Sequence, residues 1–447
     1  MAIEDFGYKQ ELKRSLSLTD LVIYGMIFMI PIAPFGVYGY VNSEAPGMVP
    51  LAYIIGMVAM LFTALSYGSM ARAFPIAGSV YSYAQRGLHP NAGFIAGWLL
   101  LLDYLLIPPL LYIYAAIALN HLYPAIPKTG FILAFLISAT LVNLRGMTFT
   151  ARMNILFLLA QLIVLGIFLA CGWNALHTGA GNGHLTLSPL YNPAAFSFPL
   201  MMQAVSIAVL SFLGFDAIST LAEETKGDAG RSVGRAALIS LLVMGGIFVA
   251  QTWLATDLAA GMGFTSADSA FYEIAEIAGG SWLASLTAIA TALAWGVAVS
   301  ITSQAAVSRL LFGMARDGKL PRILAKVHPK YSTPYVSIYM VAVLSMVICY
   351  FFIDTVDTLT SLVNFGALSG FIILHITVIN YYWRRMKSRA IWPHLITPVL
   401  GFTITCAIMY NMGLEAQKLG CIWIVAGLCY LWALNRKGLN LELSKDI

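Results

Sequence analysis

Runs of about 20 apolar residues, separated by short polar and charged clusters, recur along the whole chain, and each is long enough as a helix to cross a hydrocarbon layer of about 30 Å. They fall near residues 19–41, 49–73, 92–122, 129–148, 153–174 and 198–222, then near 235–256, 281–308, 333–353, 358–383, 392–412 and 419–435. The pattern therefore predicts an all-α polytopic membrane protein of twelve transmembrane helices. It also predicts one transmembrane domain over 19–435, between a short N-terminal segment (1–18) and a tail (436–447).

Composition removes the alternative. A soluble chain of 447 residues would hold about three domains, but apolar residues make up 60 % here and charged ones 10 %. An ordinary globular surface draws on roughly 25 % charged residues. The formal charge of +5 does not mark a nucleic-acid partner, because the basic residues flank the apolar runs instead of lining a groove; they bear on orientation. Cys171, Cys349, Cys406, Cys421 and Cys429 lie in or beside apolar runs without CxxC or His/Cys spacing, which indicates neither a disulfide scaffold nor a metal. The polar first twenty residues do not read as a signal peptide.

Twelve spans put both termini on one side. With that side in the cytoplasm, Lys9, Lys13 and Arg14, then Arg72, Arg86, Arg145, Arg152, Lys226, Arg231 and Arg235, and the later clusters to Lys445 all face it. That is 23 of the 25 basic residues; only Lys128 and Lys418 face outward. The eighth connection, Phe312-Gly-Met-Ala-Arg-Asp-Gly-Lys-Leu-Pro321, reads as a short helix with tight turns and a candidate gate element.

An uninterrupted membrane helix satisfies its own backbone, so a break must be compensated by protein or a cavity. Two spans are interrupted. Span one carries Pro31 and Pro34, which remove amide protons in mid-layer; span six carries Gly214 two positions before Asp216. The first and sixth spans of the series suggest two five-helix repeats of opposite topology (about 19–174 and 198–383), followed by two extra helices (about 392–435). In such a scaffold the broken helices meet near the midplane and present freed amides to anions and freed carbonyls to cations.

A carboxylate at mid-membrane needs a partner, a wet cavity or a proton, since even lenient scales charge about 2.5 kcal/mol for it. Asp216 is either an anchor for a substrate ammonium or a titrating group that couples proton movement to opening. Asp103 reads as a helix-packing acid or a second functional carboxylate. Glu223 and Glu224 follow towards the cytoplasmic mouth, as salt-bridge partners of Arg231 or Arg235 or as gating acids. Tyr104, Tyr112 and Tyr114 can line a cavity with an apolar ring and a polar tip. Trp295 is the aromatic expected against a substrate's carbon chain. No phosphate-binding loop with Lys-Ser/Thr, metal-ligand spacing or channel filter is present, so neither cofactor nor enzymatic chemistry is indicated, and gradient-driven transport remains.

Several blocks in order now carry a resemblance. They are Phe212-Leu-Gly-Phe-Asp216-Ala-Ile-Ser-Thr-Leu-Ala-Glu223-Glu224-Thr225, Phe62-Thr-Ala-Leu-Ser-Tyr67-Gly68 and Phe74-Pro75-Ile-Ala-Gly78-Ser-Val-Tyr81-Ser-Tyr83. Leu100-Leu-Leu-Asp103-Tyr104, Val307-Ser-Arg309-Leu, Arg316-Asp317 and Asn364-Phe-Gly366-Ala add to them. The chain resembles the amino acid–polyamine–organocation transporter family over nearly its whole length, and within it the bacterial putrescine importers. The resemblance implies a LeuT-like five-plus-five inverted-repeat core and uptake of an amino acid or amine, commonly with protons. It places a site on Ile27, Met29, Ile30 and Pro31, on Leu210, Phe212, Leu213, Gly214 and Asp216, and on Trp295.

One departure bears on the substrate. Amino-acid members usually break span one with a Gly-Ser-Gly type of segment whose bare amides hold a carboxylate; here Met29-Ile30-Pro31 stands in its place. That favours an amine lacking a carboxylate, and a diamine would use Asp103, Glu223 or an aromatic face for its far end. Ser300, Thr302 and Ser303 are candidate sodium ligands with span-one carbonyls, while the resemblance favours a proton as the coupled ion. The expectation is a secondary importer of a small organic amine, putrescine first, in a bacterial inner membrane, as a monomer or weak homodimer. An amino-acid permease of the same fold and a non-transporting membrane sensor are the alternatives.

Overall fold

The structure, a computed structural model, describes Arg14 and residues 16–76, 79–146, 151–316, 320–331 and 333–436; for residues 151, 152, 154, 313, 314 and 316 the side chains are not included. Lys9, Lys13, Gly78, Asp317, Lys319 and the tail beyond Arg436 therefore lie outside the described residues, as does part of the eighth connection.

The chain enters its first helix, α1 (Leu18–Met29), through a capping box. The Asp20 amide donates to Ser17 Oγ at 3.3 Å and the Ser17 amide to Asp20 Oδ2 at 2.8 Å, which satisfies two of the donors a helix start leaves open. The helix stops at Ile30, whose φ of +53° is costly for a β-branched residue. After a turn over residues 31–33, Pro34 opens α2 (Pro34–Glu44) at a position where its missing amide is harmless. The two halves are bent by 57°. The stranded Pro31 carbonyl accepts from Gln251 Nε2 at 3.0 Å.

Then follow α3 (Val49–Ala73), the short α4 (Ser79–Gly87), α5 (Pro90–Leu122), α6 (Lys128–Leu144) and α7 (Ala151–His177). The second interrupted span begins as α8 (Phe198–Ala208) and tightens into a 3-10 turn, Val209–Phe212. It turns over residues 213–215 and resumes as a 3-10 segment, Asp216–Glu224. Gly214 sits at φ +120°, and a Cβ on it would come within 2.7 Å of Phe28 Cβ. A glycine is required there, and the two breaks touch.

The remainder is α9 (Ala229–Leu258), α10 (Ala270–Gly279), α11 (Ser281–Leu293) and α12 (Ser300–Arg316), the last two joined by a π segment, Ala294–Val299. After it come α13 (Tyr335–Phe352), α14 (Val356–Val378), α15 (Thr397–Asn411) and α16 (Leu414–Arg436). Among the described residues ten helices are long and apolar enough to cross a membrane, the bent α1–α2 pair makes an eleventh, and α6 is a shorter apolar helix. Each of the twelve apolar stretches thus coincides with a helix or helix pair, with ends shifted by a few residues; α4 and α10, both short, were not foreseen.

At one end the backbone of Leu16 pairs with the second broken span: its amide donates to Glu224 O at 3.0 Å and its carbonyl accepts from Lys226 at 2.9 Å. At the other end Asp268, just before α10, accepts from Lys128 Nζ at 2.6 Å and from the Tyr40 hydroxyl. Between these ends lie the buried aromatics Trp295, Tyr38, Tyr53, Tyr67 and Tyr114.

Candidate binding cavity

The two breaks, α5 and the α11–α12 span enclose a cavity of about 100 Å³. The break of α1 contributes Phe28, Met29 and Ile30, and the break after α8 contributes Leu210, Leu213, Gly214 and Asp216. Asp103, Ile107, Leu110 and Leu111 form one face of α5 at helical spacing, and Trp295, Val299, Ser303 and Ala306 one face of the α11–α12 span.

Asp216 is built into the restart of its helix. The Gly214 amide donates to Asp216 Oδ1 at 3.2 Å, and the amides of Asp216 and Ala217 also lean on the carboxylate. Asp103, 6 % exposed, has an Oδ1 without a hydrogen-bond partner among the described residues. Its carboxylate also feels the charge of Asp216. Trp295 Nε1 is likewise unpartnered there. Among the described residues no Lys, Arg or His lines the cavity. Among those residues the lining thus holds two acids and no base, and a buried acid there is compensated either by a proton or by a cation.

The backbone points the same way. Prolines at 31 and 34 carry no amide proton, the Ala33 amide is used by Ile30 O, and the Gly214 amide by Asp216. Few amides are left for a substrate carboxylate. Conversely, the last carbonyls of α1 have no partner within their helix, and Pro108 in α5 leaves the Tyr104 carbonyl without its helical donor.

The cavity is shut at the Lys128 end. Tyr114 meets Trp295 edge to face at 4.7 Å and Tyr40 at 6.1 Å, and its hydroxyl bonds Thr360 Oγ1 at 2.9 Å. Tyr40 in turn reaches Asp268 and, through it, Lys128. The column passes alongside α2: a Cβ on Gly36 would lie 3.4 Å from Tyr114 and 3.7 Å from Trp295. Towards the opposite end Tyr104, Ile107, Asp216, Ala217 and Ala306 are only half-buried.

Of the residues expected at the site, Met29, Ile30, Leu210, Leu213, Gly214, Asp216, Asp103, Tyr104, Trp295 and Ser303 line this one cavity. Others do not. Pro31 turns away, its carbonyl tied to α9. Phe212 ends a 3-10 turn and packs against Tyr53 and Phe248. Tyr112 is fully buried off the α5 face that meets the cavity, near Cys349 of α13. Ser300 is buried with its hydroxyl on Gly296 O. Ile27 and Thr302 border a separate niche of about 20 Å³ behind Phe28 and Val299. Gln161 of α7 lines that niche, with an Oε1 that has no partner among the described residues. The three hydroxyls of α12 therefore do not converge on one ion. The carboxylate found at Arg231 is that of Asp228, at 3.2 Å, and not Glu223 or Glu224; Glu224 meets the N-terminal segment through its backbone.

The sequence reading missed Ile107, Leu110, Leu111, Val299 and Ala306, which spacing from Asp103 and Trp295 would have found. It also missed the Lys128–Asp268–Tyr40 closure, which only tertiary structure assembles.

A family model described as amino acid permease matches residues 17–432. The low-affinity putrescine importer PlaP of Escherichia coli (strain K12) is 34 % identical over 443 residues, covering 96 % of this chain and 95 % of its own length. The branched-chain amino acid permease BcaP of Bacillus subtilis (strain 168) is 27 % identical over 456 residues, covering 96 % and 94 %. A methylthioribose transporter of the same organism is 24 % identical over 457 residues, covering 96 % and 95 %.

Proposed function

Since the chain belongs to the amino acid permease family of transporters, we propose that it is a secondary importer of a small organic diamine, putrescine or a close homologue. Support comes from one observation above all: among the described residues, the cavity between the two broken spans is lined by Asp103 and Asp216 and by no basic residue. In this reading one ammonium sits on Asp216 and the other on Asp103. The methylene chain lies along Ile107, Leu110, Leu213 and the face of Trp295, where cation contact with the ring adds to burial. A relative named as a putrescine importer at 34 % identity agrees with it.

Alternating access follows from the architecture we assign. Twelve spans, with both termini in the cytoplasm of a bacterial inner membrane, contain two inverted repeats over about 19–174 and 198–383, and the broken helices of the repeats move around the cavity. The structure then represents a state closed by the Tyr40–Tyr114–Trp295 column on the outer side.

The family resemblance favours proton coupling. A diamine that occupies both carboxylates leaves neither to carry that proton, so a second reading places sodium in the niche of about 20 Å³ at Gln161 and Thr302. That space holds one water-sized body. An amino-acid substrate is favoured only by the apolar walls and by relatives named as amino-acid permeases.

Uptake into proteoliposomes of radiolabelled putrescine, with cadaverine, spermidine and the twenty amino acids as competitors, tests the substrate. Repeating it with an uncoupler and in sodium-free buffer tests the ion. Amine uptake that amino acids do not compete is expected; amino-acid uptake insensitive to amines overturns the reading.

A further inference from the structure

A second polar feature lies outside the transport cavity, at the end of the molecule opposite Lys128. Here α3 and α9, both membrane-spanning, come together at two glycines: a Cβ on Gly234 would lie 2.8 Å from Gly68 Cα. This close approach floors a groove of about 190 Å³, and three guanidinium groups, Arg72, Arg231 and Arg235, surround it. All three residues are exposed. Arg231 is shared with Asp228 at 3.2 Å, and Arg72 reaches Ser69 Oγ at 3.3 Å. Neither Arg72 nor Arg235 has a carboxylate partner among the described residues.

Below the cations the same faces turn apolar. One helical face of α3 carries Arg72, Leu65 and Val58 at heptad spacing, and one face of α9 carries Arg235, Leu238 and Leu242. Leu65, Val58 and Leu242 are exposed, and in a membrane-spanning chain that exposure is to lipid. Orientation control requires only that basic residues lie at this end. It does not require three of them around one cleft, nor paired apolar stripes running from that cleft along two touching helices.

We propose that this groove binds an anionic phospholipid, with the headgroup phosphate between Arg72 and Arg235 and an acyl chain along the Leu65–Leu238 seam. Basic pockets between membrane helices suit such headgroups, because guanidinium forks match phosphate oxygens and the apolar seam accepts the tail. The site is independent of the transported substrate and lies on α9, which also packs against α1 and the segment after Asp216.

Native mass spectrometry of the purified full-length protein, titrated with phosphatidylglycerol or phosphatidylcholine, provides the test. Phosphatidylglycerol should be retained in preference to phosphatidylcholine. The Arg72→Gln/Arg235→Gln pair should weaken it about thirtyfold, given what each basic residue contributes near a membrane surface. Arg389→Gln, which removes an exposed charge elsewhere, should leave binding unchanged. If the pair does not fold, Arg235→Gln alone should weaken binding about fivefold. Equal retention of the two lipids, unchanged binding in the Arg72/Arg235 variants, or an equal loss in Arg389→Gln would overturn the proposal. So would displacement of the lipid by inorganic phosphate, which would mark a soluble-anion site.

Discussion

Replacing Asp216 by Asn removes one negative charge from the cavity and little else, because the amide oxygen of Asn can still accept from the Gly214 amide that shapes the break. An ammonium about 4 Å from a carboxylate gains about 4 kcal/mol at an effective dielectric of about 20. Part of that gain is offset, because the amides of Gly214, Asp216 and Ala217 already stabilise the carboxylate and the ammonium must shed water. A net contribution of about 2–3 kcal/mol remains, typical of a hydrogen bond to a charged group, so apparent affinity for putrescine should fall about 30- to 150-fold. Initial uptake rates in proteoliposomes over a range of putrescine concentrations measure it, with a monodisperse elution profile as the check on folding. A folded Asp216→Asn protein with unchanged apparent affinity would refute the reasoning and leave Asp216 a packing residue.

The second carboxylate gives a selectivity test: wild type should prefer putrescine to 1-aminobutane, and Asp103→Asn should erase that preference while leaving 1-aminobutane binding nearly unchanged in a competition assay. Gly214→Ala should lower thermal stability by about 2–4 kcal/mol, since it combines strain at φ +120° with a Cβ 2.7 Å from Phe28; a fluorescence-detected melting curve reads it. Lys128→Ala removes an ion pair whose side chains are 26 % and 29 % exposed, worth no more than about 1 kcal/mol. It should raise the labelling rate of an Ala33→Cys probe by an impermeant thiol reagent, on a cysteine-free background, up to about fivefold.

The spans were legible because lipid imposes a crude rule: a helix must stay apolar for about 20 residues, and the ends are where that stops. The breaks were legible from Pro31, Pro34 and Gly214, which carry backbone information in their covalent structure. Asp103 and Asp216 stood out as acids within apolar runs. The walls did not, because Ile107, Leu110, Leu111 and Val299 have no contrast with the lipid-facing residues around them. Side-chain direction was misjudged where the helix changes its winding. The 3-10 turn ending at Phe212 advances each residue by a larger angle than an α-helix and carries that ring towards Tyr53 and Phe248. Within α12, Thr302 lies one and two residues from Ser303 and Ser300 and so faces another side, towards the niche, which separates hydroxyls that were expected together. The Lys128–Asp268 closure joins residues 140 positions apart, a pairing no local pattern encodes.

Whether two carboxylates hold the two ends of one diamine is decided by a structure of the protein bound to putrescine. One nitrogen should lie within hydrogen-bonding distance of Asp216 and the other of Asp103, with the carbon chain against Trp295. A diamine bound away from both acids, or an amino acid seated with its carboxylate on the amides of residues 30–33 or 213–215, would contradict it.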